Sequence, residues 1–181
     1  MKIIFESKNF IFREFEIEDV DLIYELDSEP EIHKYLTSIP MKNKTEAELV
    51  ITYFRNHYKQ FNLGRWAIIR KSDNNFIGWA GIKFEKEIVM NRSNFYDFSG
   101  RIMKKFWQKG YSREVAKSCL NFGFEKLQLN EIIAMSRVDN YLSNNLLQKV
   151  GFECLDNFEF QNQKYNWYQI TIKKYKNGKR S

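Results

Sequence analysis

Phe106-Trp107-Gln108-Lys109-Gly110-Tyr111-Ser112-Arg113-Glu114 joins two stretches of different period. Upstream, Phe95 to Met103 has the composition of a strand; downstream, Val115, Ala116, Cys119, Leu120, Gly123 and Leu127 predict an amphipathic helix from Ser112 to Leu127. A glycine just before a helix lets consecutive backbone N–H groups point outward as a nest. The partial charge of the helix end then adds to the attraction for phosphate. Gly110 therefore marks either a pyrophosphate seat or a plain tight strand-to-helix turn. The spacing fits neither GxGxxG nor GxxxxGK[ST], so neither a Rossmann dinucleotide nor a P-loop nucleotide is indicated.

Working outward, the chain alternates α and β signals. Phe10 to Phe15 reads as a first strand, and a short helix follows from about Glu18 to Leu26 with Val20, Ile23, Tyr24 and Leu26 inward. Pro30 closes that segment, after which Ile32, Tyr35 and Leu36 suggest one more helical turn. Thr45 and Glu48 form a capping-box pattern, and Ala47, Val50, Ile51, Phe54, Tyr58 and Phe61 recur at helical spacing. Trp66 to Arg70 and Phe76 to Phe84 make a hairpin across Ser72-Asp73-Asn74-Asn75, with Gly78 and Gly81 inside its second strand. Beyond the central helix come a strand at Ile132 to Met135, a helix at Ser143 to Val150, and closing strands at Phe152 to Phe158 and Trp167 to Ile172. No repeat or linker divides the 181 residues, a length that suits one core, so a single domain over residues 1–181 is expected.

An apolar share of 43% and an aromatic share of 17% are those of a packed globular protein, and no run of eighteen apolar residues suggests a membrane span. The opening Met1-Lys2-Ile3-Ile4-Phe5-Glu6 acquires a carboxylate too early for a signal peptide. Cys119 and Cys154 have no zinc-like or disulfide-framework spacing, and a reducing cytoplasm is expected. The net charge of +6 fits a nucleic-acid partner, an anionic cofactor or a solvated surface. Lysines are scattered, with only a loose basic tail at Lys173, Lys174, Lys176, Lys179 and Arg180, so direct nucleic-acid binding is not expected.

The stretch from Asp97 through Glu114 resembles the strand-loop-helix acyl-CoA motif of the GNAT superfamily. Its branch with ribosomal-protein N-terminal acetyltransferases commonly reads Trp-Gly-Lys-Gly-Tyr-Ala-Thr-Glu here. Asp139-Asn140-Tyr141-Leu142-Ser143 and then Leu147-Gln148-Lys149-Val150-Gly151-Phe152 are similar to that branch's Asn-x-x-Ser and Lys-x-Gly-Phe elements. Phe12-Arg13-Glu14-Phe15 with Glu18-Asp19, and Asp27-Ser28-Glu29-Pro30-Glu31-Ile32, resemble its opening. The resemblance implies an α/β (α+β) fold, a mixed, largely antiparallel twisted sheet flanked by helices. It should splay between the strand ending near Met103 and the strand at Ile132 to Met135.

The resemblance also implies acetyl-CoA as acyl donor and an amine as acceptor, in a monomer or homodimer. Backbone amides from Gln108 through Arg113, spanning Lys109, Gly110, Tyr111 and Ser112, would hold the pyrophosphate, with Lys109 and Arg113 as phosphate-facing cations or merely solvated residues. Main-chain groups near Ile102 and Met103 would pair with pantetheine as an added strand does. Asn140 would bond the cofactor, and Ser143 would lie near its sulfur. Gln108 and Ser112 depart from the family's commoner Gly and Ala. Leu147 stands where many GNAT proteins carry a proton-donating tyrosine, which leaves Ser143 as the motif-matched donor, or else as a helix cap. Gly100, after Ser99, replaces a frequent family tyrosine.

Asp97 is the first choice of base, with a turn or solvent-facing role as its alternative, and structural roles are expected for His33 and His57. Without an obvious strong base the acceptor is expected to be an α-amine, of which roughly a tenth is neutral at pH 7, against a few parts in ten thousand for a lysine. A ribosomal or other protein N-terminus leads. A small-molecule amine such as an aminoglycoside, polyamine or amino-acid derivative follows. A noncatalytic acyl-CoA-binding domain and a nucleic-acid binder stacking bases on Trp79, Tyr111 and Trp167 are the rival classes.

Overall fold

The computed structural model describes residues 2–35 and 39–179. A hairpin of β1 (Ile3–Glu6) and β2 (Phe10–Arg13) leads through a short turn to α1 (Val20–Asp27), α2 (Pro30–His33) and α3 (Lys44–Phe61). Next come β3 (Gly64–Arg70), β4 (Phe76–Glu85), β5 (Phe95–Ile102) and α4 (Tyr111–Asn121), then β6 (Glu131–Arg137) and α5 (Tyr141–Lys149). The chain finishes with β7 (Glu153–Phe160), β8 (Gln163–Thr171) and α6 (Ile172–Gly178). One eight-stranded sheet runs in the order β1-β2-β3-β4-β5-β6-β8-β7. Every neighbouring pair in it is antiparallel except β5 and β6. The expected mixed, largely antiparallel sheet flanked by helices is the observed one.

Strand alternation sorts side chains onto two faces. Arg65, Trp79, Lys83, Asp97 and Arg101 stand opposite one another or Gly81 across β3, β4 and β5, and share the face that α1 and α3 cover. Trp66, Ala80, Ile82 and Phe98 lie on the other, under α4. There α4 buries Val115, Ala116, Cys119 and Leu120, then widens into a π-helical turn at Phe122–Lys126. Gly123 lets this turn touch the sheet, since a Cβ there would fall 2.6 Å from Ile82 Cδ1 and 2.7 Å from Ile132 Cδ1.

On the first face α3 buries Ala47, Ile51, Phe54 and Tyr58, a stripe at the predicted spacing. Its cap lies two residues earlier than expected. Asn43 Oδ1 accepts the Glu46 N–H at 3.1 Å and Glu46 Oε2 accepts the Lys42 N–H at 3.1 Å, in place of a Thr45–Glu48 box. Pro30 opens α2 at its first turn, where a missing N–H costs nothing, instead of closing a segment. Leu36 lies outside the described residues.

Two elements had no sequence signal. The edge strand β1 is only four residues long and half exposed, so its alternation is too short to read. In α6 no residue is fully buried, and what holds it is tertiary: Tyr175 stacks on Phe124 at 4.7 Å and bonds Asn121 at 2.7 Å. The basic tail is thereby engaged with the domain, Lys174 pairing with Glu153 and Lys179 with Glu125, while Arg180 lies outside the described residues. Trp79 and Trp167 are buried in the interior and are not available as base-stacking platforms. Among the described residues no helix is long and apolar enough to cross a membrane.

His57 joins α3 to β4 by accepting the Phe84 N–H on Nε2 at 3.2 Å, which requires that nitrogen unprotonated. Burial first, then Lys83 and Arg65, push the imidazole from its ordinary 6.5 down to about 4. The unfolded chain therefore takes up the proton first as pH falls. Stability is whole above about 6.5 and declines toward 4. His57→Gln should flatten that decline, read as the difference in urea midpoint between pH 7 and pH 4.5 in the two proteins, with a remainder from His33, also held below its ordinary value by burial.

Candidate active site

β5 and β6 run in the same direction and register only at Asp97 opposite Ile133. Each is fully paired on its other side, β5 with β4 from Phe95 to Ile102 and β6 with β8 from Glu131 to Arg137. Beyond Asp97 the two strands part into a fork, as expected for the central strands. The Met103 N–H donates to Ile77 O at 2.9 Å and its carbonyl accepts from Phe106 N at 2.9 Å. Main-chain groups alternate sides along a strand, so Phe98, Gly100 and Ile102 turn theirs toward the fork. Met103, expected to pair with pantetheine, therefore has no main-chain group to spare. The open edge falls on the exposed Gly100 and on the N–H of Ile102, whose carbonyl is taken by Trp107 Nε1.

Past β5 the chain makes a tight turn at Lys104–Phe106 and enters the loop Trp107 to Gly110. Trp107 Nε1 donates to Ile102 O at 2.7 Å and folds the loop back on the strand. Gln108 (φ 59°) and Gly110 (φ 77°) are both left-handed. This explains why glycine is common at the Gln108 position: a Cβ there costs about 1–2 kcal/mol. A Cβ on Gly110 would meet nothing within 4 Å, so the space over the N-terminus of α4 is open. The first main-chain bond back to the loop is Arg113 N–H to Gly110 O at 3.2 Å, and the amides of Tyr111 and Ser112 precede it at the helix start. Lys109 and Arg113 are exposed, Lys109 resting 5.6 Å over the Phe106 ring. Glu114, the one carboxylate of this first turn, is drawn aside by Ser7 Oγ (2.8 Å), Asn9 N (3.0 Å) and Asn9 Nδ2 (2.7 Å).

Opposite the loop, α5 begins at the far side of the fork. Its cap is Asn140, whose Oδ1 accepts the Ser143 N–H at 3.2 Å. The capping alternative for Ser143 thus belongs to Asn140, and the half-buried Ser143 hydroxyl sits in the first turn. Asn144 ties the turn down, donating to Arg137 O (2.8 Å) and Asn140 O (2.8 Å) and accepting from Asn166 (3.0 Å) and the Tyr168 hydroxyl (2.9 Å). Leu147 is buried in the core and has no proton to give.

Residues 9–153 match the acetyltransferase (GNAT) domain family. The chain belongs to the GNAT acetyltransferases. An uncharacterized N-acetyltransferase of Bacillus subtilis, YoaA, is 27% identical over 162 residues, 88% of this chain and 89% of that protein. Among solved structures, a GNAT-family acetyltransferase from Bacillus anthracis superposes with a TM-score of 0.77 at 21% identity, covering 96% of this chain and 99% of that one. A spermidine N-acetyltransferase from Vibrio cholerae, solved with CoA and spermine, gives 0.75 at 20% identity over 93% and 99%.

In this GNAT enzyme Asp97 is an anchor at the apex of the fork. It is only 4% exposed, and its carboxylate meets the Arg65 guanidinium. Arg65 Nη1 also donates to Gly81 O at 2.6 Å and to Asp97 O at 2.8 Å, so one side chain ties β3, β4 and β5 together. Burial pushes the Asp97 carboxyl up against the pull of Arg65 and Lys83. Enclosed and engaged by a guanidinium, it has no path to an incoming amine, and the expected role as base gives way to a structural one.

Sequence reasoning also missed the layer between α1 and β5. Arg101 pairs with the buried Asp27, Lys104 with Glu31 (2.6 Å) and Lys105 with Glu25 (2.7 Å). Trp79 lies with the Arg101 guanidinium 5.0 Å and the Arg65 guanidinium 5.8 Å from its ring, and its Nε1 has no hydrogen-bond partner among the described residues. Gly78 and Gly81 inside one strand were the available signal of close backbone approach. A Cβ on Gly81 would lie 2.0 Å from Gly64 O. Asp97→Ala should strand the buried Arg65 charge and cost about 3–5 kcal/mol in urea unfolding, whereas the double change Arg65→Met with Asp97→Leu should recover most of it.

Proposed function

We propose that this enzyme moves an acetyl group from acetyl-CoA to the α-amine of a protein or peptide N-terminus, a ribosomal protein among the candidates, within one domain. The observation that carries the donor half is the fork with exposed Gly100 beside the open N-terminus of α4. Pantetheine would run as an added strand along Gly100 and Ile102, and its pyrophosphate would rest on the amides from Gln108 to Arg113. Asn140, whose Oδ1 caps α5, would offer its Nδ2 as a donor to the cofactor. When bound, the thioester supplies the activated acyl carbon. The neutral amine nitrogen forms the new C–N bond as the C–S bond breaks. The Ser143 hydroxyl would give its proton to the leaving sulfur and be restored from solvent, and the amine would shed its own proton to water.

The acceptor half rests on charge. A polyamine such as the ligand of the Vibrio enzyme needs carboxylates to receive its ammonium groups, and that relative favours a small-molecule amine as the second reading. Here Glu25, Asp27, Glu31 and Asp97 already hold Lys105, Arg101, Lys104 and Arg65. No dedicated base is needed, because the α-amine deprotonates near neutral pH.

Thiol release with acetyl-CoA should be faster with N-terminally free peptides than with spermidine, and mass spectrometry should place the acetyl group on the α-amine. At subsaturating peptide the rate should climb through pH ~7.8 and level off above it. A preference for spermidine would move the acceptor to the second reading, and binding of acetyl-CoA with no turnover on any amine would leave a noncatalytic domain. Gly110→Pro, which removes an N–H and forces φ negative, should abolish CoA affinity by calorimetry in a folded protein. Ser143→Ala should lower kcat by about 10²-fold or more with CoA affinity unchanged.

A further inference from the structure

The loop from Trp107 to Gly110 presents a physical problem. It carries two left-handed residues, one of them Gln108, and residues 108–110 are exposed, so the loop packs little against its own surroundings. A conformation that sparsely populated persists only when neighbouring structure over-determines it. The brace comes from outside the loop, from the last residue of β3.

Arg70 Nε donates to Asp73 Oδ1 at 2.9 Å and Nη2 to Asp73 Oδ2 at 2.5 Å, while Nη1 donates to the Tyr111 hydroxyl at 3.1 Å. The central carbon of the same guanidinium lies 4.8 Å from the Phe106 ring centroid and 5.8 Å from that of Tyr111. Phe106 is the residue before the loop and Tyr111 the residue after it. One rigid fork thus holds both ends of the four-residue loop. Asp73 is fixed in turn by Asn75 Nδ2 at 2.6 Å, and Tyr111 is backed edge-on by Phe10 at 5.2 Å. The Ser72 to Asn75 turn, which sequence reading treats as a mere hairpin connection, is the foundation of this chain.

We infer that Arg70, oriented by Asp73, is a positioning residue for acetyl-CoA: it sets the spacing of the loop ends so that the amides from Gln108 to Arg113 converge on the pyrophosphate. The inference rests on the pyrophosphate seat proposed above. Arg70 acts through Phe106 and Tyr111 and touches no phosphate. Its charge is already balanced by Asp73, so its contribution is geometric preorganisation and not long-range attraction.

The two kinds of contribution give opposite signs at Asp73. Asp73→Asn adds one net positive charge near the seat, and a purely electrostatic role for Arg70 would make CoA bind more tightly. Loss of the brace makes it bind more weakly. Calorimetry with CoA on the wild type, Arg70→Met, Arg70→Lys and Asp73→Asn reads this directly, with circular dichroism as the check on folding. Expected are affinities about ten- to hundred-fold weaker for Arg70→Met, no recovery in Arg70→Lys, whose point charge cannot fork or stack, and a smaller weakening for Asp73→Asn. KM for acetyl-pantetheine, which lacks the pyrophosphate, should stay at the wild-type value in all three. Unchanged or tighter CoA binding in Asp73→Asn, full recovery in Arg70→Lys, or an equal loss with acetyl-pantetheine would each overturn the inference. A wild type that fails to bind CoA would instead remove the seat itself.

Discussion

A buried ion pair lies at the residue where β5 and β6 stop pairing. Asp97 stands opposite Ile133 at the single registered position, and its side chain is bound to Arg65, which also holds Gly81 O and Asp97 O. Two parallel strands joined at one residue would otherwise be free to zip further or to separate. Anchoring that residue to β3 and β4 sets the apex of the fork. Everything proposed for chemistry lies downstream of it. A buried pair is seldom a net gain over apolar packing, and here its worth is conformational, since it fixes a branching point that hydrophobic side chains would leave loosely specified.

The fork divides labour between two faces of one sheet. On one side α4 packs on apolar side chains, with Gly123 allowing its π-turn to touch Ile82 and Ile132, and this rigid support leaves the helix N-terminus beside the open edge. On the other side α1 and α3 cover a layer that is unusually charged for an interior: Arg65, Arg101, Asp27 and Asp97, with Trp79 among them. Each charge there has a partner, as desolvation demands. The ionic groups of this layer are therefore paired within the protein itself.

Similarity to solved GNAT structures at 20–21% identity with TM-scores of 0.75 and 0.77 shows how little of the fold depends on particular side chains. Sheet order and alternation are met by many sequences. The departures lie in the loop before α4, in α5 and near the end of β5. Gln108 occupies a left-handed position that favours glycine, and a compensating brace from Arg70 reaches both ends of that loop. Leu147 fills the core where relatives of the wider superfamily often place a tyrosine, and Gly100 leaves the fork edge bare.

Local physics made much of this legible in the sequence. The apolar stripe of α3, the hairpin of β3 and β4, the glycine that turns β5 into α4 and the helix at Ser143 all follow from periodicity and turn chemistry that act over a few residues. So does the pairing of a strand, a glycine-bearing loop and a helix N-terminus that suits a phosphate. Contacts between residues far apart in the chain were decided only by the tertiary structure. Arg65 with Asp97, Arg101 with Asp27, and Arg70 under Phe106 and Tyr111 leave no periodic trace. An aspartate on a strand looks the same in sequence whether it is a base or a buried anchor. Asp97 became an anchor because folding placed a guanidinium thirty-two residues distant against it and shut out water.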